Sequence, residues 1–277
     1  MTFLMLILVL GLRRLESGWP HWMIDSHRHQ AWLQRLANRF GNSLMLWGIG
    51  VLLPAVVLTF LECWLQGFWG QWLWLIFGGA VLLWLLGGHS EFRQVDELLV
   101  RGRMSDPEGF AALAEDEFGV QGDPRDPVVQ QALAEEVLGR EKQLFVAIFW
   151  LVLLGLPAAL LVVLNGAWAQ RAERDNTRWA TTLNLWLHWP AQRLLIFSMA
   201  VVGDFAAVLD CMRGHWFTLQ GEDKQLAMAA QVAMDVPEQQ EGSPFYRIIA
   251  PLESLQGLLL RCMAVWLILA AVWVMFS

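Results

Sequence analysis

The chain is poor in charge, nearly devoid of tyrosine, and has no cysteine framework. Only 16% of its 277 side chains are charged, while 56% are hydrophobic and the mean hydropathy is +0.43. The net charge of −7 offers no basic surface for nucleic acid. Three cysteines, Cys63, Cys211 and Cys262, lie in or beside apolar segments without paired spacing. That pattern reads as buried small hydrophobes rather than a disulfide or a metal site. There is no Gly-rich phosphate loop with a lysine, no paired zinc-ligand signature and no serine nucleophile elbow. No basic residue precedes the apolar stretch Met1–Leu12, and Arg13-Arg14 follows it, the wrong flank for a signal peptide. The stretch is also short for a span, so it reads as a partly inserted helix kept on the mature protein.

Long apolar runs are what the chain does have. Phe68–Leu86 is uncharged, with Gln71 its one strongly polar side chain. At 1.5 Å per residue it covers roughly 29 Å, about the thickness of a bilayer's hydrocarbon core. Leu44–Leu61 is nearly as apolar, so 44–86 reads as a transmembrane hairpin. One tyrosine beside seventeen tryptophans suits a chain with much membrane–water interface. The fold expected is an all-α polytopic integral membrane protein with a cytoplasmic helical insert.

Around the hairpin the segments read as follows. Residues 1–43 hold the short N-terminal helix and an amphipathic interfacial helix, Asp25–Phe40. In that helix Trp32, Leu33, Leu36 and Phe40 recur at helical spacing. Asp25 or Ser26 can cap its start and Gly41 its end. His21, His27 and His29 near its start read as solvated or headgroup-facing. The polar insert, 87–143, carries 13 acids and 6 bases. Its helix signals are Ser90–Arg101, Pro107–Phe118 capped by Asp106 and closed by Gly119, and a helix opened by Asp126-Pro127. No breaker separates the last from Leu144. Val120–Arg125 reads as a turn.

In 144–213, Leu144–Trp168 is interrupted by Gly155-Leu156-Pro157, which permits either one kinked span or a re-entrant pair of half-helices. The weaker apolar stretch Trp189–Leu209 contains Arg193 and Asp204. Those two lie 11 residues apart, near one face if the stretch is a single helix, and ionisable groups there need partners or a polar cavity. Residues 214–257 are polar, with a helix near Glu222–Met234 and a loop from Pro237 to Pro244. Residues 258–277 form a C-terminal membrane helix whose Arg261 can snorkel to the interface. The hairpin loop lacks Lys and Arg and belongs outside, while Gly11–Ser43, with five Arg, and the insert face the cytoplasm. Gln170–Arg193 carries four more Arg, which favours the re-entrant form.

The order of these features resembles a known family. A short apolar N-terminus runs into Arg13-Arg14, then a hairpin, then an insert beginning Glu91-Phe92-Arg93 with Asp-Pro-capped helices. Phe149-Trp150-Leu151-Val152-Leu153-Leu154-Gly155-Leu156-Pro157 follows, then Asn165, then Trp189-Pro190-Ala191-Gln192-Arg193-Leu194. This is similar to the AmpE family of Gram-negative inner-membrane proteins, within the larger group of the cobalamin-biosynthesis protein CbiB. The resemblance implies an inner-membrane location, signalling in β-lactamase induction and a cytosolic muropeptide amidase as a neighbour or partner. CbiB-type proteins are ATP-dependent amide-forming ligases whose pattern carries acids before the Gly-x-Pro run. Here that place reads Leu138-Gly139-Arg140-Glu141-Lys142, and two later acidic places read Asn165-Gly166-Ala167-Trp168 and Thr182-Leu183-Asn184-Leu185. Missing carboxylates remove ligands for Mg²⁺ on a nucleotide, so no cofactor is expected, although Mg²⁺·nucleotide is the one the resemblance would imply.

The reading is therefore a non-enzymatic inner-membrane signalling protein whose partners are the bilayer and a signalling protein. A CbiB-like enzyme and a small-molecule or muropeptide transporter are the alternatives. Candidate ligand residues are Arg93, Glu97, Glu136, Arg140, Asn165, Arg193 and Asp204. Arg93/Glu97 and Glu136/Arg140 also fit ordinary i, i+4 surface pairs.

Overall fold

The computed structural model describes residues 2–15, 28–40, 44–65, 67–87, 91–174, 178–219, 221–234 and 244–276. Most of these residues are helical, with no strand among them. In chain order the helices are α1 (Thr2–Leu15), α2 (Arg28–Phe40), α3 (Leu44–Trp64, with a π-helical segment at Gly48–Leu52) and α4 (Phe68–Leu86). They continue as α5 (Glu91–Arg103), α6 (Pro107–Phe118), α7 (Pro127–Leu154), α8 (Leu156–Arg174) and α9 (Arg178–Val202). The last are α10 (Phe205–Cys211), α11 (Glu222–Ala233) and α12 (Pro244–Phe276).

Local chemistry accounts for most boundaries. The Asp106 carboxylate accepts from Gly109 N at 2.9 Å, and Pro107 opens α6. Gly119, at φ +69°, closes it in a left-handed cap. Asp126 accepts from Val128 N at 2.9 Å and begins α7. That helix runs unbroken to Leu154, where Gly155 at φ +88° stops it.

Packing divides the chain into two units. The first comprises Met1–His89, Leu144–Ala191 and Ala270–Ser277. Its centre is α8, which packs against α2, α3 and α4. A Cβ on Gly78 would stand 2.5 Å from Met5 Cε and 3.3 Å from Leu156 Cδ2, so α1 and α8 both approach the α4 backbone there. α1 runs parallel to α4: Met5 meets Gly78, and eight residues on, Arg13 Nε donates to Gly87 O at 2.8 Å. A buried guanidinium at the carbonyl end of α4 sits at the negative end of that helix. α8 runs antiparallel to α3. Gly155 lies beside Glu62 near the end of α3, whereas Asn165 accepts from Trp47 Nε1 at 3.0 Å near its beginning.

α2 docks on the same end. Leu33 and Leu36 close over Gly50, and Trp32 Nε1 donates to Gly50 O at 3.3 Å. His29 is buried, edge-on to Trp84 with centroids 4.9 Å apart. This corrects the solvated reading of His29; the stripe at Leu33 and Leu36 carries the histidine inward with it. His21, His27, Asp25, Ser26 and Gly41 lie outside the described residues. Cys63 is exposed, Cys211 half-buried and Cys262 buried, all as free thiols, so only Cys262 is the interior hydrophobe expected.

The second unit comprises Ser90–Gln143 and Gln192–Leu269. The polar insert therefore packs with later segments rather than alone. α5 packs on α6, and Gln94 Nε2 donates to Glu117 at 2.5 Å. Phe110 of α6 meets Phe245 of α12 edge-on at 5.7 Å. Gln256 of α12 donates to Phe92 O and Asp96 Oδ1, each at 2.8 Å. Arg103 pairs with Glu253, which also accepts from Tyr246; its hydrogen bond to Glu253 raises the Arg103 pKa above the ordinary value. Trp266 Nε1 donates to Ser198 Oγ at 3.2 Å, joining α12 to the buried Leu195, Ile196, Met199 and Ala200 face of α9.

Among the described residues two helices are long and apolar enough to cross a membrane, Leu44–Trp64 and Pro244–Phe276. Only 28% and 33% of their most apolar stretches are buried, so neither is packed as the core helix of a globular domain. Val56, Val57 and Phe60 of α3, and Trp72, Leu73, Ile76 and Phe77 of α4, point outward.

α9 ends at Val202 because the chain turns tightly at Gly203, whose α-carbon faces the Ala233 carbonyl with no room for a methyl group. Gly203→Ala should lower the stability of the purified protein by about 1–3 kcal/mol. Gly79→Ala, inside α4 with nothing within 4 Å of the new atom, should leave it no lower and raise it by up to about 1 kcal/mol. Equal thermal midpoints for the two variants in detergent would contradict this account of the turn.

Candidate functional site

The seven residues singled out by sequence do not converge. Arg93 Nε and Glu97 Oε1 pair at 3.1 Å on an exposed face of α5. Arg140 Nε pairs with Glu136 at 2.9 Å one helical turn apart on α7, and its guanidinium stacks over the Phe118 ring at 4.7 Å. Both are i, i+4 helix pairs, worth a few tenths of a kcal/mol each. Asn165 belongs to the first unit and the other six to the second.

Arg193 and Asp204 do not share a helix, which corrects the single-helix expectation. Gly203 ends α9, and Asp204 becomes the exposed N-cap of α10, accepting from Ala207 N at 3.0 Å. Arg193 instead is only 8% exposed, and its Nη2 donates to Thr218 O at 2.6 Å and Gln225 Oε1 at 2.7 Å.

The contacts of Arg193 lead to a three-helix polar cluster. Gln225 lies in the first turn of α11, two residues after Asp223, and Asp223 Oδ1 takes Lys142 Nζ at 2.5 Å. α7 thus brings Lys142, α9 brings Arg193, and α11 brings Asp223 and Gln225; Glu141 and Gln192 are the chain neighbours of the two cations. Glu141 is 1% exposed, and Gln192 and Gln225 are also buried. Two cations from different helices are anchored to one turn of α11, where the helix N-terminus itself carries positive partial charge. Such an arrangement can take an anionic group and can hold or release α11.

Glu141, Lys142, Gln192, Asp223 and Gln225 escaped the sequence reading. A signal existed for Glu141. Leu133, Val137, Phe145 and Ile148 form the buried stripe of α7 at helical spacing, and Glu141 falls on it. Gln192 likewise adjoins the Leu195, Ile196 and Met199 stripe. Thr218 O and Gln225 are supplied by distant segments and left no mark in the local pattern.

In the first unit Asn165 is wholly buried. It accepts from Trp47 Nε1 at 3.0 Å, and its Nδ2 faces Asn184 Oδ1 at 3.4 Å.

If Arg193 and Asp204 act separately, Arg193→Ala should cost about 2 kcal/mol or more of stability through its charged hydrogen bonds. Asp204→Ala should cost about 1 kcal/mol through the lost cap. The double variant should equal their sum within about 0.5 kcal/mol. A larger coupling in detergent-phase unfolding would restore the shared-site reading.

No family model, curated protein or solved structure matches this chain.

Proposed function

We propose that the chain is a multi-pass protein of the bacterial inner membrane that signals rather than catalyses, within the cell-wall-stress response that leads to β-lactamase induction. The observation that carries the membrane reading is the low burial of its long apolar helices, 28% and 33%, with their apolar side chains turned outward. In water that surface would far exceed the patches a soluble monomer exposes; in a bilayer it is solvated. The resemblance of its segment order to that of the AmpE family supports the signalling role and a cytosolic muropeptide amidase as partner.

α3 and α4 cross and return, so Trp47 and Gly87 share the cytoplasmic end. α8 starts beside Glu62 and comes back to Trp47. This course supports the re-entrant form over a single crossing. The re-entrant form, with Gly155 at its tip, keeps Arg171, Arg174 and Arg178 cytoplasmic, in line with the positive-inside rule. The signalling element is the α7–α9–α11 cluster. An anionic ligand that competes for Arg193 and Lys142 frees α11 to meet a partner.

One observation favours a second reading. Glu141 is a buried carboxylate at the place where the CbiB pattern carries acids, so an ATP-dependent ligase remains the alternative. Its signature is 1:1 micromolar binding of Mg²⁺·ATP by calorimetry, lost in Glu141→Gln.

For the favoured reading, disrupting the gene in an inducible host should lower β-lactamase induction. The wild-type chain should restore it, and Arg193→Met, at equal abundance in the membrane, should not. Full restoration by Arg193→Met would remove the cluster from the mechanism. For topology, Asp123→Cys and Arg174→Cys in a cysteine-free background should both resist an impermeant thiol reagent on intact spheroplasts and react after lysis. Labelling of position 174 alone would mean that 144–174 crosses once.

A further inference from the structure

Arg261 of α12 is an exposed cation held by neutral groups. Its Nε donates to Gly257 O at 3.1 Å on its own helix, and its Nη1 donates to Val202 O at 3.4 Å. Val202 is the last residue of α9, where the helix presents its negative end. Those two contacts use two of the five guanidinium N–H groups. Among the described residues no carboxylate pairs with Arg261, whereas Arg103, Arg140 and Lys142 of the same unit each meet one. Asp204, two residues beyond Val202, is committed to the start of α10 through Ala207 N.

A second observation is the apolar surface that adjoins this cation. Trp266 meets Ser198 and Arg261 meets Val202, so α12 lies antiparallel along the last turns of α9. Phe197 and Val201 stand one turn apart on α9, and Val201 directly precedes the residue whose carbonyl Arg261 reaches. The Phe205 ring meets that of Phe197 edge-on, with centroids 6.5 Å apart. All three side chains are about half exposed, at 46%, 55% and 49%. Gln256, five residues before Arg261, is bonded to Phe92 and Asp96 of α5. Arg261 therefore lies close to the polar insert, the cytoplasmic side in the proposed topology.

We infer that Arg261, with Phe197, Val201 and Phe205, forms a site for one anionic phospholipid of the cytoplasmic leaflet. The headgroup phosphate accepts from the guanidinium N–H groups that the protein leaves open, in the planar geometry that suits phosphate. The two carbonyls hold the guanidinium in place, so the headgroup meets a prearranged donor set. An acyl chain covers the Phe197, Val201 and Phe205 surface. A zwitterionic lipid brings its own cation beside its phosphate and gains less from Arg261 than an anionic one. Basic sites of this kind beside membrane helices on the cytoplasmic side take anionic headgroups. The inference rests on the membrane reading and adds the class of lipid and the residues that meet it.

The test is native mass spectrometry of the full chain in detergent, titrated with phosphatidylglycerol or with phosphatidylcholine of the same acyl chains. The wild type should retain one phosphatidylglycerol with an affinity about fivefold or more above that for phosphatidylcholine. Arg261→Gln should abolish the preference. Arg213→Gln should keep it, because Arg213 already pairs with Asp210 on an exposed surface. Where Arg261→Gln accumulates poorly, Val201→Glu should have the same effect, since it sets a carboxylate beside the cation. Equal affinity for the two lipids in the wild type, or an undiminished preference in Arg261→Gln, would overturn the site and leave the membrane reading standing. Release of the wild-type chain from membranes by alkaline carbonate would overturn both.

Discussion

The first unit depends on the backbone angle at Gly155. At φ +88° a residue with a Cβ is strained, and the two flanking segments are otherwise good helix. Without the break, Pro127–Arg174 would continue as a rod of roughly 70 Å. α8 could then not lie antiparallel to α3, and Asn165 could not reach Trp47. With the break, α8 becomes the helix on which α2, α3 and α4 pack. Glycine is needed at that one position, and Pro157 just after it favours a fresh helix start over continuation.

The two units are stabilised by different chemistry. The first relies on small residues and apolar contact, with Gly78 admitting Met5 and Leu156, and Gly50 admitting Leu33 and Leu36. Its few polar ties, Arg13 to Gly87 O and Trp47 to Asn165, satisfy groups that would be costly to bury alone. The second is tied by charged and amide side chains between helices: Arg103 to Glu253, Gln256 to Asp96, Lys142 to Asp223 and Arg193 to Gln225. Such polar contacts are directional and depend on each partner, in a way that buried methyl groups do not.

Helix boundaries were legible wherever capping chemistry is local. Asp106-Pro107, Gly119 and Asp126-Pro127 each act within a turn of their own position, and each stands where the pattern placed it. The pairs Arg93/Glu97 and Glu136/Arg140 were legible for the same reason. The single-helix reading of Arg193 and Asp204 failed at Gly203, although Asp204 followed by an apolar run was already an N-cap signature. His29 went the other way: its neighbours' stripe, not its own polarity, decided its burial. Glu141 could have been found as an acid on an apolar stripe, but Gln225 and Thr218 could not, since nothing near them in the chain refers to Arg193.

By itself the sequence determined the helical class, the apolar runs and their lengths, the break at Gly155 and the acidic character of the insert. These follow from side-chain polarity, periodicity and backbone angles, all set within a few residues. Tertiary structure decided which helices α8 packs on, that the insert joins Gln192–Leu269 in one unit, and that Lys142 and Arg193 meet the same turn of α11. Those outcomes depend on matching surfaces between segments far apart in the chain, where a single glycine or a buried amide acts only through the neighbour it meets.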